Sequence, residues 1–381
     1  MLMYEYQKNR RYFAQLPDGI KEIGAQELSE LGALDVTPEY GGIHFTADKE
    51  RLYRINYSAR LASRILAPLA SFSCFSTDDL YKKAKQMNWT DFISLKNTFA
   101  VFGNVSNSKI TNSHYASLCL KDAIVDSFRE ISGKRPDVDS RSPDIWLNLY
   151  IRDDKAVISL DTSGGSLHRR GYRKASLEAP MQEIVAAAVI RYTEWDGSVP
   201  LYDPMCGSGT LLSEALLHYC KIPSGIFRDN FGFAFLPEYD NLLWTNVKKE
   251  QDRHIRNLPE GLIAGSDISP EAIEISGTNI QNLPHGERIE LQILDFRNGE
   301  GIKNGVIVTN PPYGIRMGDT QELDLLYEAL GDFLKQKCKG SAAYIYFGER
   351  EFIKKIGLKP AWKKPLKTGG LDGRLVKYEL F

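Results

Sequence analysis

The spacing of apolar positions over residues 1–70 changes several times along the chain. A period of two is typical of strands, and apolar residues three and four positions apart are typical of a helix. The predicted elements are, in order, strand 12–17, helix 20–31, two strands within 33–47 around the Gly41-Gly42 turn, a helix capped by Asp48 and running to Tyr57, and strand 63–72. This β-α-β-β-α-β order predicts a ferredoxin-like segment over residues 1–70.

Residues 71–162 predict a second α+β unit. Its elements are helix 77–87, strand 98–105, helix 113–130, and strands 144–152 and 155–161, which turn at Asp153-Asp154. Residues 133–143, between the long helix and the last two strands, predict a loop because they are rich in proline and charge.

From residue 163 onwards, helices and strands alternate, as they do in a doubly wound parallel sheet. The predicted elements are helix 179–193 with proline in its first turn, strand 199–203, helix 209–220, strand 261–267, helix 270–283, strand 289–295, strand 305–310, helix 324–337, strand 342–348, and a hairpin pair at the sheet edge, 361–368 and 374–381. The pattern as a whole predicts an α/β fold, in which a doubly wound, Rossmann-like domain at 163–381 follows two α+β modules.

The composition is that of a globular protein, with 43% hydrophobic and 25% charged residues among 381. The longest apolar run, residues 184–190, is too short to span a bilayer. The N-terminus has early charges and no apolar core, so we expect no signal peptide. The five cysteines are odd in number and scattered, which favours a reducing cytoplasm and argues against a disulfide framework or a structural zinc site.

The formal net charge of -1 means that a nucleic acid would have to be held by local basic patches. One patch is residues 168–174, HRRGYRK. The other begins at Arg350 and sets nine basic residues (Arg350, Lys354, Lys355, Lys359, Lys363, Lys364, Lys367, Arg374, Lys377) against three acids (Glu351, Asp372, Glu379). A basic stretch alone is more often a solvated face than a binding surface.

A glycine-containing turn, DPMCGSG, follows strand 199–203 and precedes a helix. Such a turn presents backbone N–H groups to a ligand. A dinucleotide fingerprint would place a third glycine at Leu212, and Asp203 before the glycines would repel a pyrophosphate, so NAD is disfavoured. A ligand with an amino group and no phosphates, such as the methionine part of S-adenosylmethionine, fits this turn better.

Polar residues also follow the next three predicted strands. Asp267 is placed to bind ribose hydroxyls, and Asp295 with Phe296 to bind an adenine. Each aspartate alone would more often be a helix cap or a turn residue, but the carboxyl ends of consecutive parallel strands meet at one crevice. Strand 305–310 delivers the sequence NPPYG, Asn310 to Gly314, to the same place, and the two prolines make it rigid.

DPMCGSG, SDIS, LDF and NPPYG together resemble the motifs of class I S-adenosylmethionine-dependent methyltransferases that methylate exocyclic amino nitrogens. Residues 161–190 and 221–235 resemble the bacterial large-subunit (23S) rRNA guanine-N2-methyltransferase family. The resemblance implies a THUMP RNA-binding domain at 71–162, a methyltransferase domain at 163–381, and a single reaction, because relatives with two activities carry a second such domain. On both grounds, the residues expected to bind S-adenosylmethionine are Asp203, Pro204, Met205, Cys206, Gly207, Ser208, Gly209, Asp267, Ile268, Asp295, Phe296 and Asn310.

The expected catalytic residues are Asn310, Pro311, Pro312 and Tyr313. The side-chain oxygen of Asn310 and the carbonyl of Pro311 would accept the two N–H bonds of the target amine, and Tyr313 would stack on its base. No metal is required. The base must be single-stranded or flipped out, and the candidate RNA contacts are Arg169, Arg170, Tyr172 and Arg173, which could equally form an interdomain salt-bridge network.

The favoured hypothesis is methylation of the N2 amino group of a guanine in large-subunit ribosomal RNA. A DNA adenine-N6-methyltransferase is the alternative enzyme, because the Asn-Pro-Pro-Tyr motif does not separate guanine from adenine. A non-catalytic RNA-binding ribosome-assembly factor is the alternative outside enzymes, although such a factor would have no need of a cofactor crevice.

Overall fold

The computed structural model describes residues 3–177, 180–313, 320–367 and 372–381. The chain forms two compact units, which are described separately. The first consists of residues 1–16, 25–167 and 228–249, and the second of residues 17–24, 168–227 and 250–381. Residues 163–167 and 228–249 of the predicted third domain therefore belong to the first unit, and residues 17–24 of the predicted ferredoxin-like segment belong to the second.

The first unit is built on one eight-stranded sheet. Its strands are β1 (Arg11–Gln15), β2 (Leu34–Glu39), β3 (Gly42–Thr46), β4 (Arg64–Ser73), β5 (Thr98–Ser106), β6 (Asp137–Val138), β7 (Ile145–Arg152) and β8 (Lys155–Asp161), in the order β2-β3-β1-β4-β8-β7-β5-β6. The long strand β4 pairs antiparallel with β1 on one side and with β8 on the other. The two predicted α+β modules therefore share one sheet.

The helices of this part of the chain are α1 (Glu5–Asn9), α2 (Lys21–Glu30), α3 (Lys49–Ser58), α4 (Thr77–Lys85) and α5 (Ser113–Ser132). The side chain of Asp48 caps α3 by accepting from the backbone N–H of Arg51 at 2.9 Å, as the sequence predicts. Gly133, with φ of 67°, ends α5. The predicted β-α-β-β-α-β order is confirmed, whereas α1 was not predicted and the short strand β6 lies within the predicted loop 133–143.

Residues 228–249 join the first unit through aromatic packing. Phe233 lies 4.4 Å from Tyr53 and Trp244 lies 5.4 Å from Tyr57, measured between ring centroids, and both tyrosines are on α3. Gly232 allows this approach, because an added Cβ would come within 1.8 Å of the carbonyl oxygen of Asp161. The segment also contains the start of helix α8 (Asn241–Arg253), which was not predicted.

The second unit contains a seven-stranded sheet. Its strands are β9 (Leu201–Asp203), β10 (Ile263–Asp267), β11 (Glu290–Ile293), β12 (Val306–Thr309), β13 (Ala342–Phe347), β14 (Trp362–Pro365) and β15 (Arg374–Glu379), in the order β11-β10-β9-β12-β13-β15-β14. The first five strands are mutually parallel, and β15 is antiparallel to both β13 and β14. This is the predicted doubly wound sheet with a hairpin pair at one edge.

The helices associated with this sheet are α6 (Glu183–Thr193), α7 (Thr210–Tyr219), α9 (Pro270–Gln281) and α10 (Thr320–Lys337). The predicted start of α6 was wrong: Gln182 is extended, so Pro180 lies before the helix, and Ala179 lies outside the described residues. None of the described helices combines the length and the apolarity that a membrane span requires.

Candidate active site

The site lies where the strand order of the second sheet reverses. The central strand β9 pairs with β10 on one side and with β12 on the other. Ligands of doubly wound sheets bind at this switch point, beyond the carboxyl ends of the strands. The loops that leave β9, β10, β11 and β12 therefore supply the candidate residues.

The loop after β9 is a tight glycine turn. Gly207 and Gly209 have φ of 54° and 76°, in the left-handed region where glycine is favoured. Gly209 also packs so closely on α9 that an added Cβ would come within 2.4 Å of the hydroxyl of Ser276. The backbone N–H of Cys206 donates to the carbonyl of Ser266 at 2.9 Å, which fixes the turn to β10. The next residue, Thr210, begins α7.

Asp203 at the end of β9 is 1% exposed. Burial raises the pKa of its carboxyl from 3.8 to about 7, and the negative charge of Asp267 adds to the increase. The hydrogen bond that the backbone N–H of Met205 donates to Asp203 Oδ1, at 3.1 Å, acts in the opposite direction on this pKa. A carboxyl held this far from water is stabilised in its ionised form by a cation placed next to it.

Asp267 at the end of β10 is tied to both neighbouring loops. Its carboxylate accepts from the backbone N–H of Gly207 at 2.9 Å and from that of Ser269 at 3.0 Å. A carboxylate has about four acceptor positions, so two are available for further hydrogen bonds. Ile268, the next residue, is 62% exposed, so its apolar side chain is accessible to a ligand.

The loop after β11 places its two predicted residues in different surroundings. Asp295 accepts from Arg297 Nε at 2.9 Å, and this arginine lowers the pKa of the carboxyl. Phe296 is 3% exposed and lies 5.5 Å from the ring of Phe333 on α10, measured between centroids. The ring of Phe296 is thus part of the hydrophobic core in this structure, and the carboxylate of Asp295 is the more accessible of the two.

Asn310 directly follows β12. Its side-chain oxygen, Oδ1, is buried and has no hydrogen-bond partner within the described residues. A buried acceptor without a partner costs about 1–3 kcal/mol, so in native proteins such an atom is usually paired with ordered water or a ligand, or has a functional role. Asn310 therefore carries an unused acceptor at the switch point.

The loop that follows Asn310 is held by contacts with neighbouring elements. The hydroxyl of Tyr327 on α10 donates to the carbonyl of Pro312 at 3.1 Å. Tyr313 is half-buried and packs against Gly348, where an added Cβ would come within 2.4 Å of its ring. The described part of the loop is thus held by contacts with α10 and with the end of β13, and residues 314–317 of the predicted motif region lie outside the described residues.

The segment 168–174 contains the four candidate RNA contacts. Arg169 is exposed, but Arg170 and Tyr172 are only 3% and 1% exposed. Both donate to Oε1 of Glu214 on α7, at 3.2 and 3.3 Å. A ring this deeply buried cannot stack on a base in this conformation, so the structure favours the ion-pair alternative over an aromatic platform at Tyr172.

Arg173 also forms internal contacts. Its Nε donates to Glu183 at 3.0 Å, and its Nη2 donates to the carbonyl of Met181 at 3.0 Å and to the hydroxyl of Thr210 at 3.1 Å. Because Thr210 is the first residue of α7, this guanidinium lies beside the glycine turn. Only Arg169, among the four candidates, presents an exposed side chain.

Asn279 on α9 was missed in the sequence. Its Oδ1 accepts from the backbone N–H groups of Lys174 and Ala175, at 2.8 and 3.1 Å, and its Nδ2 donates to the carbonyl of Ser208 at 3.1 Å. One side chain thus joins the segment after Arg173 to the glycine turn. The available signal was its position on the buried face of α9, where an unpaired amide would be costly.

The C-terminal basic stretch is partly neutralised by its own acids and by α10. The pairs are Arg350 and Arg374 with Asp372, Lys355 with Asp324, and Lys377 with Glu379. Exposed pairs of this kind contribute little to stability, but they reduce the charge available to a phosphate. Within the described residues, no cluster of histidine, cysteine and acidic side chains is arranged to hold a metal ion.

Three family models match the chain: the RlmL ferredoxin-like domain at residues 11–66, the THUMP domain at 74–161, and the RMKL-like methyltransferase domain at 170–377. The last of these covers more than half of the chain. The chain belongs to the RMKL-like methyltransferase family.

Two curated relatives illustrate the extent of the similarity. The protein slr0064 of Synechocystis sp., which carries the name of an RNA methyltransferase, is 39% identical over 373 residues, or 98% of this chain and 97% of that protein. The ribosomal RNA large subunit methyltransferase K/L of Syntrophotalea carbinolica is 37% identical over 383 residues, or 97% of this chain and 53% of that protein. The chain thus spans about half the length of the K/L relative.

Two solved structures of similar proteins cover nearly the whole chain. SMU.472, which is named as a methyltransferase and is complexed with SAH, has a TM-score of 0.86 and 28% identity, and the match covers 100% of this chain and 99% of that one. A Listeria monocytogenes protein that carries the name of an N6-adenine-specific DNA methylase has a TM-score of 0.85 and 28% identity, covering 98% and 97%. RMKL-like methyltransferases depend on S-adenosylmethionine, and the ferredoxin-like, THUMP and Rossmann-like organisation predicted from the sequence is confirmed.

Proposed function

We propose that this RMKL-like methyltransferase transfers a methyl group from S-adenosylmethionine to the exocyclic N2 amino group of a guanine in large-subunit ribosomal RNA. The observation that carries the proposal is the buried Oδ1 of Asn310 at the switch point of the sheet, which has no hydrogen-bond partner among the residues that the structure describes. Buried acceptors in native proteins are nearly always paired, and an exocyclic amine is a donor that would satisfy this one.

An exocyclic amine is a poor nucleophile because its lone pair is delocalised into the ring. Oδ1 of Asn310 and the carbonyl of Pro311 would accept its two N–H bonds, and these hydrogen bonds strengthen as positive charge develops on the nitrogen. Tyr313 would stack on the base. The bound cofactor supplies a methyl group on a positively charged sulfur, which is already a good electrophile, so positioning by the rigid loop contributes most of the remainder.

The cofactor would be held by the loops after β9, β10 and β11. The glycine turn, residues 203–209, would cradle the amino acid part, with Asp203 facing its amino group. Asp267 and Ile268 would contact the ribose and the base, and Asp295 would accept from the adenine amino group. Phe296, whose ring is in the core, would act by supporting this loop.

The THUMP match and the name of the K/L relatives support RNA as the substrate. A base inside a helix cannot reach a pocket at the end of a sheet, so the target base would be single-stranded or flipped out, at a cost of a few kcal/mol. The first unit would contribute to the affinity for structured RNA through phosphate contacts and shape.

The main alternative is N6 methylation of adenine in DNA, which the name of the Listeria monocytogenes protein favours. Adenine N6 and guanine N2 are both exocyclic amines, so Asn310 would serve either. A non-catalytic RNA-binding role would leave the acceptor of Asn310 without a purpose.

The test is nucleoside mass spectrometry of ribosomal RNA and genomic DNA from a strain that lacks the protein. We expect N2-methylguanine to decrease in large-subunit rRNA and to return when the wild-type protein, but not the Asn310→Ala variant, is supplied. Unchanged rRNA N2-methylguanine with loss of N6-methyladenine from DNA would establish the alternative, and no change in either would point to a binding role.

A further inference from the structure

The segment from Arg173 to Leu177 runs along the glycine turn of the second unit. Asn279 links Lys174 and Ala175 to the turn by the hydrogen bonds described above. An added Cβ at Gly207 would be in ordinary van der Waals contact with the side chain of Leu177, at 3.9 Å, so the segment passes directly beside the turn.

Arg173 retains one unused donor in this position. Nε and Nη2 are occupied by Glu183, Met181 and Thr210, whereas Nη1 is buried and has no hydrogen-bond partner within the described residues. A buried N–H group of a guanidinium is costly to leave unpaired. The protein thus keeps an oriented cationic donor beside the first residue of α7, which is the end of a helix that attracts anions.

The geometry points to Arg173 as the residue that binds the α-carboxylate of the cofactor, through Nη1 and together with the N-terminal end of α7. Three contacts already fix the guanidinium, so little side-chain entropy is lost when the carboxylate binds. The inference rests on S-adenosylmethionine as the cofactor of the proposed function, but not on the identity of the RNA or of the base.

The charges around the turn are consistent with an amino acid zwitterion. Arg173 is paired with Glu183, which is 7% exposed, so that the pair is close to neutral before a ligand binds. The buried carboxyl of Asp203 stands at the beginning of the same turn and is suited to the ammonium group. Arg173 would thus donate to the carboxylate of the ligand, and Asp203 would accept from its ammonium group.

The test is a double-mutant cycle between the protein and the ligand, measured by isothermal titration calorimetry on the full chain. The ligands are S-adenosylmethionine and decarboxylated S-adenosylmethionine, which lacks only the carboxylate. We expect the wild type to prefer the complete ligand by roughly 10- to 100-fold, the range of a charge-assisted hydrogen bond. Arg173→Gln should lose most of this preference and bind the decarboxylated ligand about as tightly as the wild type does.

Two further variants make the result specific. Arg173→Lys keeps the charge but not the planar fork, so its preference should be intermediate. Arg256→Gln is the matched control, because Arg256 donates to the carbonyl of Tyr219 at the opposite end of α7, and it should keep the wild-type preference. Thermal unfolding without ligand shows whether each variant is folded.

Three outcomes would overturn the assignment. Equal affinity of the wild type for the two ligands would show that no group binds the carboxylate. If Arg173→Gln lowers the affinity for both ligands equally, or changes the affinity for neither, Arg173 only supports the structure. None of these outcomes affects the methylation proposal, because that is tested separately by the nucleosides of the deletion strain.

Discussion

Asp203→Asn should stabilise the second unit without ligand, and the stabilisation should grow with pH. The carboxyl of Asp203 is buried, and its pKa in the folded protein is about 7 rather than 3.8. Between these two values the unfolded chain loses its proton and the folded chain keeps it, so raising the pH destabilises the fold. Asparagine has nearly the same shape, can keep the hydrogen bond from Met205, and does not ionise.

The size of the effect follows from the shift. The pKa of Asp203 is about 3 units higher in the folded than in the unfolded protein, and each unit corresponds to about 1.36 kcal/mol. The ionisation of Asp203 therefore lowers the free energy of unfolding by about 4 kcal/mol above pH 7 and by about 2 kcal/mol at pH 5. The advantage of Asp203→Asn over the wild type should therefore grow by about 2 to 3 kcal/mol between pH 5 and pH 8. Below about pH 3, where both the folded and the unfolded wild type hold the proton, the difference in stability between the two proteins should no longer change with pH.

The measurement is urea-induced unfolding followed by circular dichroism, at four pH values from 5 to 8, on both proteins without cofactor. Because the chain has two compact units, the transition of the second is recognised as the one that S-adenosylhomocysteine shifts in the wild type. Asp196→Asn, at an exposed aspartate of the same unit, is the control and should show no growing advantage. An advantage of Asp203→Asn that is absent at pH 8, or that does not change with pH, would refute the assignment of a raised pKa to Asp203.

Three other predictions concern the site and the RNA. Asn310→Ala should leave cofactor affinity near wild type and slow single-turnover methylation by roughly a hundredfold, and normal turnover would mean that the loop is only structural. Asp267→Asn should cost about 2 kcal/mol of cofactor affinity in calorimetry, because a charge-assisted hydrogen bond is lost, and unchanged binding would exclude Asp267 from the cofactor site. RNA affinity, measured by fluorescence anisotropy, should fall steeply between 50 and 200 mM salt, roughly a hundredfold or more, since phosphate contacts must carry the binding, and a flat dependence would contradict this.

The role of the first unit in RNA binding is better tested by point variants than by deletion. Deleting residues 1–160 would remove Tyr53 and Tyr57, the partners of Phe233 and Trp244. The remaining chain would then expose an aromatic cluster, and a loss of methylation could reflect misfolding rather than lost RNA contacts. Single charge reversals at exposed lysines of α4, such as Lys82→Glu, keep the packing intact and are the better test.

The sequence predicted the order of most elements, although not α1, β6 or α8, and the residues at the strand ends. Local periodicity fixes whether a segment is a helix or a strand, and parallel strands bring their carboxyl ends to one edge. For this reason the sequence predicts that Asp203, Asp267, Asp295 and Asn310 face one crevice. The structure places each of them at or just after the end of one of four neighbouring strands.

Only the tertiary structure decided which polar groups are satisfied. The amino-acid composition of segment 168–174 is typical of a basic surface patch. Arg170 and Tyr172 are nevertheless buried and donate to Glu214, which lies 42 residues or more away along the chain. The sequence likewise gave no sign that Oδ1 of Asn310 and Nη1 of Arg173 would be buried without a partner in the part of the chain that the structure describes. Burial and hydrogen bonding depend on contacts between distant segments, and periodicity reports only on neighbours along the chain.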